Sequence, residues 1–180
     1  MSAAAPDCFE GEHNGYRRLR VKHHRTVQCV AEDAWVIVDD LLGTGEHELR
    51  LHWLLPDLPF EVSATSPFCA VLSAEKVRFR WSVFSIAPGS AGVIRAGKSL
   101  TGDGDHELLG WESPTYGERC PAISLLYRVE APLPVRIVSA ILAGEALQLQ
   151  QDDHQLVLSR DNSQIYQLSL APVQTVGAGG

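Results

Sequence analysis

The chain has 180 residues and a formal net charge of −7, with 45% hydrophobic and 21% charged residues. That length suffices for one domain with a sizeable core, and the composition is that of a folding chain rather than a disordered one. The negative balance argues against bulk attraction to nucleic acid, and no run approaches the roughly 18 apolar residues of a membrane span. The N-terminus, MSAAAPDCFEGEHNG, lacks the continuous apolar stretch of a secretory signal; a longer parent protein would leave export open, so no compartment is assigned. Cys8, Cys29, Cys69 and Cys120 are far apart with no CxxC pair, so they are expected as buried free thiols.

In chain order, residues 1–11 are expected as a flexible N-terminal segment. GYRRLRVKHHRTV, residues 15–27, places Tyr16 at a strand entry and predicts a strand over 18–29. Leu19, Val21, His23, Arg25 and Val27 then share one face, and Arg18, Arg20, Lys22, His24 and Thr26 the other. His23 and His24 point in opposite directions and cannot both serve one site without a bulge. The plain expectation is a solvated basic strand with one histidine tucked under.

AWVIVDDLLG is apolar on both faces and turns at Gly43, the pattern of a central strand covered on both sides. HELRLHWLL puts His47, Leu49, Leu51, Trp53 and Leu55 on one face, and KVRFRWSV puts Val77, Phe79, Trp81 and Val83 on one face. Both predict antiparallel strands with one wet side. AISLLYRV and LPVRIVSAIL follow, separated by the prolines of EAPLP. AGEALQLQQDDHQL is ambiguous, since it has good helix formers while Leu147 and Leu149 alternate as in a strand. HQLVLS and QIYQLSL flank RDN, a hairpin signal, and 173–180 is expected as a flexible tail.

About ten or more short strands with Gly/Pro turns predict an all-β fold, an antiparallel β-sandwich over residues 12–172 as a single domain. Asp39 and Asp40 leave such a strand on opposite faces, so they are read as strand termination and turn bonding before GTG, not as paired carboxylates.

Three stretches carry a resemblance. EHNGYRRLRVKHHRTV, WVIVDDLLGTGEHELRLHWLLPD and GWESPTYGERCPAISLLYRVEAPLPVRIVSAIL, covering 12–57 and 107–142, resemble the C-terminal β-sandwich of the heparinase II/III family of polysaccharide lyases. The resemblance implies a supersandwich-like layer structure that follows an α/α toroid in family members. It also implies β-elimination of acidic polysaccharide, in which a neutralised uronate lets a base take the C5 proton and an acid protonates the leaving oxygen. The toroid and the segment with the family's catalytic histidine have no counterpart in these residues. The resemblance therefore implies a lyase portion inactive by itself, with an acidic polysaccharide and a toroid domain, in cis or in trans, as partners. Tyr16 and His24 are the catalytic candidates, neither assigned a role.

Relatives hold a structural metal with histidines and an aspartate. His13 or His24 would match the last ligand, and without the others no metal or other cofactor is expected, since a structural zinc needs four ligands. Substrate-binding candidates are Trp111, Tyr116 and Arg119 in GWESPTYGERC, where aromatic faces suit sugar C–H groups and arginine pairs with carboxylates. The plain alternative is a turn shaped by Pro114 and Gly117 with Trp111 and Tyr116 covering the core. Arg78 and Arg80 would join Arg50 and His52 in a positive stripe if their strands are neighbours; the alternative is a solvated face paired with Glu48 and Glu61. Two further functions stand beside the lyase portion: a free-standing carbohydrate-binding module for acidic glycans, and a structural or protein-interaction sandwich with an apolar patch.

Overall fold

The structure is a computed structural model and describes residues 8–63, 68–101, 106–152 and 154–172. The chain runs through β1 (Cys8–His13), a 3-10 turn (Arg17–Leu19), β2 (Lys22–Ala31), β3 (Ala34–Leu42), β4 (Glu46–Leu55), β5 (Phe60–Ser63) and β6 (Phe68–Ser73). It continues with β7 (Arg78–Ser85), β8 (Gly89–Arg95), β9 (Lys98–Ser99), β10 (Trp111–Glu112), β11 (Cys120–Pro121), β12 (Ile123–Pro132) and β13 (Val135–Ala143). The last elements are β14 (Leu147–Gln151), β15 (Gln155–Arg160) and β16 (Ser163–Ser169). All recorded pairings are antiparallel, so the all-β sandwich expectation holds.

The sheets form three main layers. A central seven-stranded sheet has the order β1-β2-β3-β13-β7-β6-β5. A four-stranded sheet, β4-β12-β8-β9, covers its front, and a three-stranded sheet, β14-β15-β16, covers part of its back. The reason lies in β3, β13 and β7, which carry apolar side chains at successive positions and so need cover on both faces. On the front, Leu41, Ile137, Trp81 and Val83 pack against Leu51, Leu125, Tyr127 and Val93. On the back, Val36, Val38, Phe84 and Val138 pack against Leu156 and Leu170. Trp53 of β4 and Trp81 of β7 meet across the front core with ring centroids 4.7 Å apart.

Several sequence expectations are corrected. The basic stretch is not extended from residue 18: Arg17–Leu19 is a 3-10 turn and Arg20 is left-handed at φ 58°, so β2 begins at Lys22 and Leu19 faces solvent. Ser82 does not lie on a wet face; it is buried beneath the back layer. The stretch open between helix and strand, where alternation weakly favours strand, is strand over 147–151, because Leu147 packs inward beside Leu158 in the third sheet. The cysteines are free, but Cys8 is exposed and the other three only part-buried. Cys8, Cys29 and Cys69 lie on edge or next-to-edge strands of the central sheet, beyond the full cover of its neighbours. Strand structure starts at Cys8, inside the expected N-terminal segment, while 1–7 and the expected tail 173–180 lie outside the described residues.

Other expectations match. The RDN hairpin joins β15 to β16 through Asp161 and Asn162, both at positive φ (50° and 61°), the geometry that the right-handed strand twist favours in two-residue turns. Residues 58–106, without a recognisable motif, supply β5 to β9.

The back layer makes a direct test possible. Phe84 is 2% exposed between the central and third sheets, so Phe84→Ala should cost about 3–5 kcal/mol. Leu108, 88% exposed, should change stability by no more than about 0.5 kcal/mol when replaced by Ala. Urea denaturation of the two variants beside the parent protein measures both.

Candidate functional site

The β2–β3 hairpin organises the most polar part of the front face. Its register sets His24 beside Asp40 and Arg25 beside Asp39, and alternation sends His23, Arg25 and Asp39 forward and His24 and Asp40 back. Asp39 is 1% exposed. It accepts hydrogen bonds from Arg25 Nε at 2.6 Å and Nη2 at 3.0 Å and lies 2.6 Å from His23 Nε2. Burial pushes the Asp39 carboxyl up, but the bonds from His23 and Arg25 outweigh it and hold the group below the ordinary aspartate value. Arg25 also lies over Trp53, 5.1 Å from the ring centroid.

His23 and Asp39 border a cleft of about 300 Å³ between the front sheet and the central one. Tyr16, His23, Asp39, His47, Glu48 and Arg50 bring polar atoms to it over an apolar floor. Tyr16 stands on the turn before β2, its ring 5.4 Å from that of His13 in an edge contact. That contact requires Gly15, since a Cβ there would meet His13 Cε1 at 2.3 Å.

The candidates Tyr16 and His24 are not brought together. Tyr16 shares the cleft with His23, while His24 lies on the back of β2 with Asp40 as its cross-strand neighbour. His13 and His24 also leave opposite faces, His13 standing across from His23. The front aspartate beside His23, Asp39, is already taken by Arg25. This donor set does not fit the family's metal, and among the described residues no group of three or more His, Cys, Asp or Glu is placed to hold an ion.

Asp39 and Asp40 do not serve the turn. They are buried on opposite faces, and Asp40 takes Arg136 as a two-point partner, Nε at 2.7 Å and Nη2 at 2.8 Å. The reason is their position in a strand covered on both sides, where each carboxylate needs its own cation.

The positive stripe does not form. Arg50 and His52 lie on β4 in the front sheet, Arg78 and Arg80 on β7 in the central sheet. Arg50 pairs with Glu48 at 2.7 Å, and His52 meets Ser124 Oγ at 2.9 Å. Arg78 pairs with Glu61 at 3.6 Å and Glu145 at 3.2 Å. Arg80 donates from Nη2 to the Leu147 carbonyl, and its buried Nε has no protein partner. Arg78 and Arg80 border a second cleft of about 270 Å³ with Val71, Gly144 and Glu145.

The 110–120 loop is anchored at Gly110, where φ is +75° and a Cβ would meet Ala96 N at 2.7 Å. Trp111 and Arg119 are brought together: the guanidinium carbon sits 4.0 Å from the ring centroid, and Trp111 Nε1 and Arg119 Nη2 both donate to the Glu107 carbonyl. Arg119 thereby covers one face of the indole. Tyr116 is fully exposed and does not cover the core.

Sequence reasoning missed the His23–Asp39–Arg25 cluster, and only part of it was signalled. Alternation puts His23 and Arg25 on one face, but the two-residue turn at Glu32–Asp33 by itself would set Arg25 opposite Asp40; the register shift between Cys29 and Ala31 moves the pairing to Asp39. The cluster predicts a pH effect. Asp39→Asn should destabilise the fold by about 2 kcal/mol at pH 7, the loss of a buried charge-assisted bond pair discounted for partly exposed Arg25. A depressed carboxylate stabilises above its unfolded value of about 3.9 and loses that contribution as pH falls through its folded value. The gap between parent and variant in urea denaturation should therefore close below about pH 4.

The comparisons follow from this fold. The heparinase II/III-like, C-terminal family model matches residues 2–167. A solved heparinase III superposes with a TM-score of 0.70 at 17% identity, covering 91% of this chain and 25% of that one. The heparan sulfate lyase HepC from Pedobacter heparinus gives 0.68 at 13%, covering 97% and 28%, and another heparinase III gives 0.65 at 15%, covering 93% and 26%. The chain thus spans about a quarter of the length of these solved relatives, and at such identities they establish its fold. No curated protein sequence matches it. Through the family match over nearly its whole length, the chain belongs to the heparinase II/III-like C-terminal family.

Proposed function

We propose that this chain is the β-sandwich portion of a heparinase II/III-like polysaccharide lyase, acting on an acidic polysaccharide together with an α/α-toroid domain and inactive without it. The observation that carries this reading is the family match combined with the extent of the superposition. With 91% and 97% of the chain superposed, it corresponds to 25% of a heparinase III and 28% of a heparan sulfate lyase.

The chemistry of the chain's own residues supports inactivity alone. β-Elimination needs a base near the C5 proton, a group that neutralises the uronate and an acid at the leaving oxygen. In the front cleft His23 is committed to Asp39 and His47 meets the Thr44 carbonyl, and Arg25 is bound to the same carboxylate as His23. Arg50 is paired with Glu48. Tyr16 is left without a cationic partner aimed at a sugar carboxylate, so the sandwich supplies a wall and the toroid the reacting groups. Incubating the purified chain with heparin, heparan sulfate and alginate should give no rise in ultraviolet absorbance from unsaturated product. Robust turnover by the chain alone would overturn the proposal.

A second reading, a carbohydrate-binding module, is favoured by the Arg78–Arg80 cleft, where a buried Nε lacks a protein partner, and by the free-standing ring of Tyr116. It predicts heat on titration with uronate polymers, lost progressively with added salt and weakened several-fold by Arg78→Ala. Replacing Trp111 by Ala should also weaken it by removing the platform under Arg119. Absence of heat across a panel of such polymers would remove this reading.

A further inference from the structure

The two front layers do not match in width. The central sheet has seven strands and the sheet facing its front has four. Strand β4 ends that front sheet: its one partner is β12, and among the described residues no strand pairs with its other edge. Along the ten residues Glu46–Leu55, alternate residues therefore present unpaired backbone donors and acceptors to the free side.

The cleft of about 300 Å³ lies along this edge. Its lining takes five successive residues of β4, His47 to Leu51, and none from β12. Successive residues of a strand point to opposite faces, so a cleft touching all five opens on the strand's side rather than under one face. Beyond β4 the central sheet continues into β2 and β1. Their front side chains are incompletely covered: Phe9 is 65% exposed, and Val27 and Cys29 are only part-buried. An open edge thus stands beside an apolar floor, at the spacing where a further strand of the front sheet would lie.

The outward side chains of β4 define what fits. Glu48 and Arg50 stand on its solvent side, 50% and 60% exposed. An antiparallel strand opposite them is favoured if it carries a base facing Glu48 and an acid facing Arg50, with apolar residues beside Leu49 and Leu51. Other edges lack this combination. Strand β1 offers Glu10 and Glu12 around Gly11, β5 has four residues, β9 two, and β16 carries no charge. A whole second sandwich does not suit the edge, because β1 and β2 project past β4 on the same side and would meet their symmetry mates.

We propose that the free edge of β4 is a strand-addition site that takes one extended peptide segment, apolar at alternate positions, with a base opposite Glu48 and an acid opposite Arg50. Main-chain pairing supplies the attachment and the alternate side chains the selectivity. The site stands whether or not the chain is inactive alone, since it rests on the edge and not on sugar chemistry.

A peptide with the sequence of residues 46–55, EHELRLHWLL, meets the charge requirement and sets Leu49 opposite Leu49, with His47 opposite Leu51. Paired antiparallel about Leu49, its Arg50 faces Glu48 of the protein and its Glu48 faces Arg50. Fluorescence anisotropy of the labelled peptide should show saturable binding, and amide hydrogen exchange should slow at alternate residues of β4. Combining Glu48→Arg with Arg50→Glu in the protein should weaken binding about tenfold, since two exposed cross-strand pairs become repulsive. The same two exchanges in the peptide should restore it. Absence of binding, protection confined to other strands, or affinity indifferent to the charge exchange would overturn the proposal. Sedimentation of the chain alone as a dimer with β4 protected would overturn the single-strand occupant in favour of a second copy.

Discussion

Strands β3 and β13 carry apolar side chains on both faces, and neither face tolerates water. Every main feature of the molecule follows from that constraint. Leu41 and Ile137 require a front layer, which β4, β12 and β8 supply; Val36, Val38 and Val138 require a back layer, which β15 and the chain after β16 supply. A two-layer sandwich would leave one of these surfaces wet, at a cost of roughly 25 cal/mol for each Å² of apolar area. Three layers of short antiparallel strands are the solution open to a chain of this size.

The same constraint governs the charges. Two adjacent aspartates on a doubly covered strand leave opposite faces, and each carries a charge into a dry layer. The fold answers with one cation per carboxylate, Arg25 with His23 in front and Arg136 behind. Such pairs add little net stability over an apolar core, but removing one partner leaves an uncompensated buried charge. Groups that look reactive in isolation are consumed in pairing neighbouring strands of the central sheet. The front cleft is accordingly bordered by polar side chains already bound to one another, in a family fold present here at about a quarter of its solved relatives' length.

Not all surfaces are finished in this way. The outer side of the front sheet is capped by the loop from His106 to Cys120, pinned at Gly110 and through Glu107, so that Ser124 and Ile94 are buried although they point away from the core. The free side of β4 has no such cap among the described residues, and there backbone pairing capacity coincides with an apolar floor.

Much of this was legible in residue order. Two-residue alternation in HELRLHWLL and KVRFRWSV, the doubly apolar AWVIVDDLL, and the RDN turn determined strand identity, the central position of β3 and the last hairpin, because these depend on local geometry and on which side chains avoid water. The motif order was enough to identify the family. Which strands become neighbours was not local, and here only the tertiary structure decided. Arg50 and Arg78 alternate alike in sequence yet belong to different sheets, so no stripe forms. Tyr16 shares a cleft with His23 and not with His24, since a 3-10 turn and a left-handed Arg20 separate it from the start of β2 and His24 leaves the other face. Periodicity states which way a side chain points relative to its own strand; only the packing of layers states what stands opposite it.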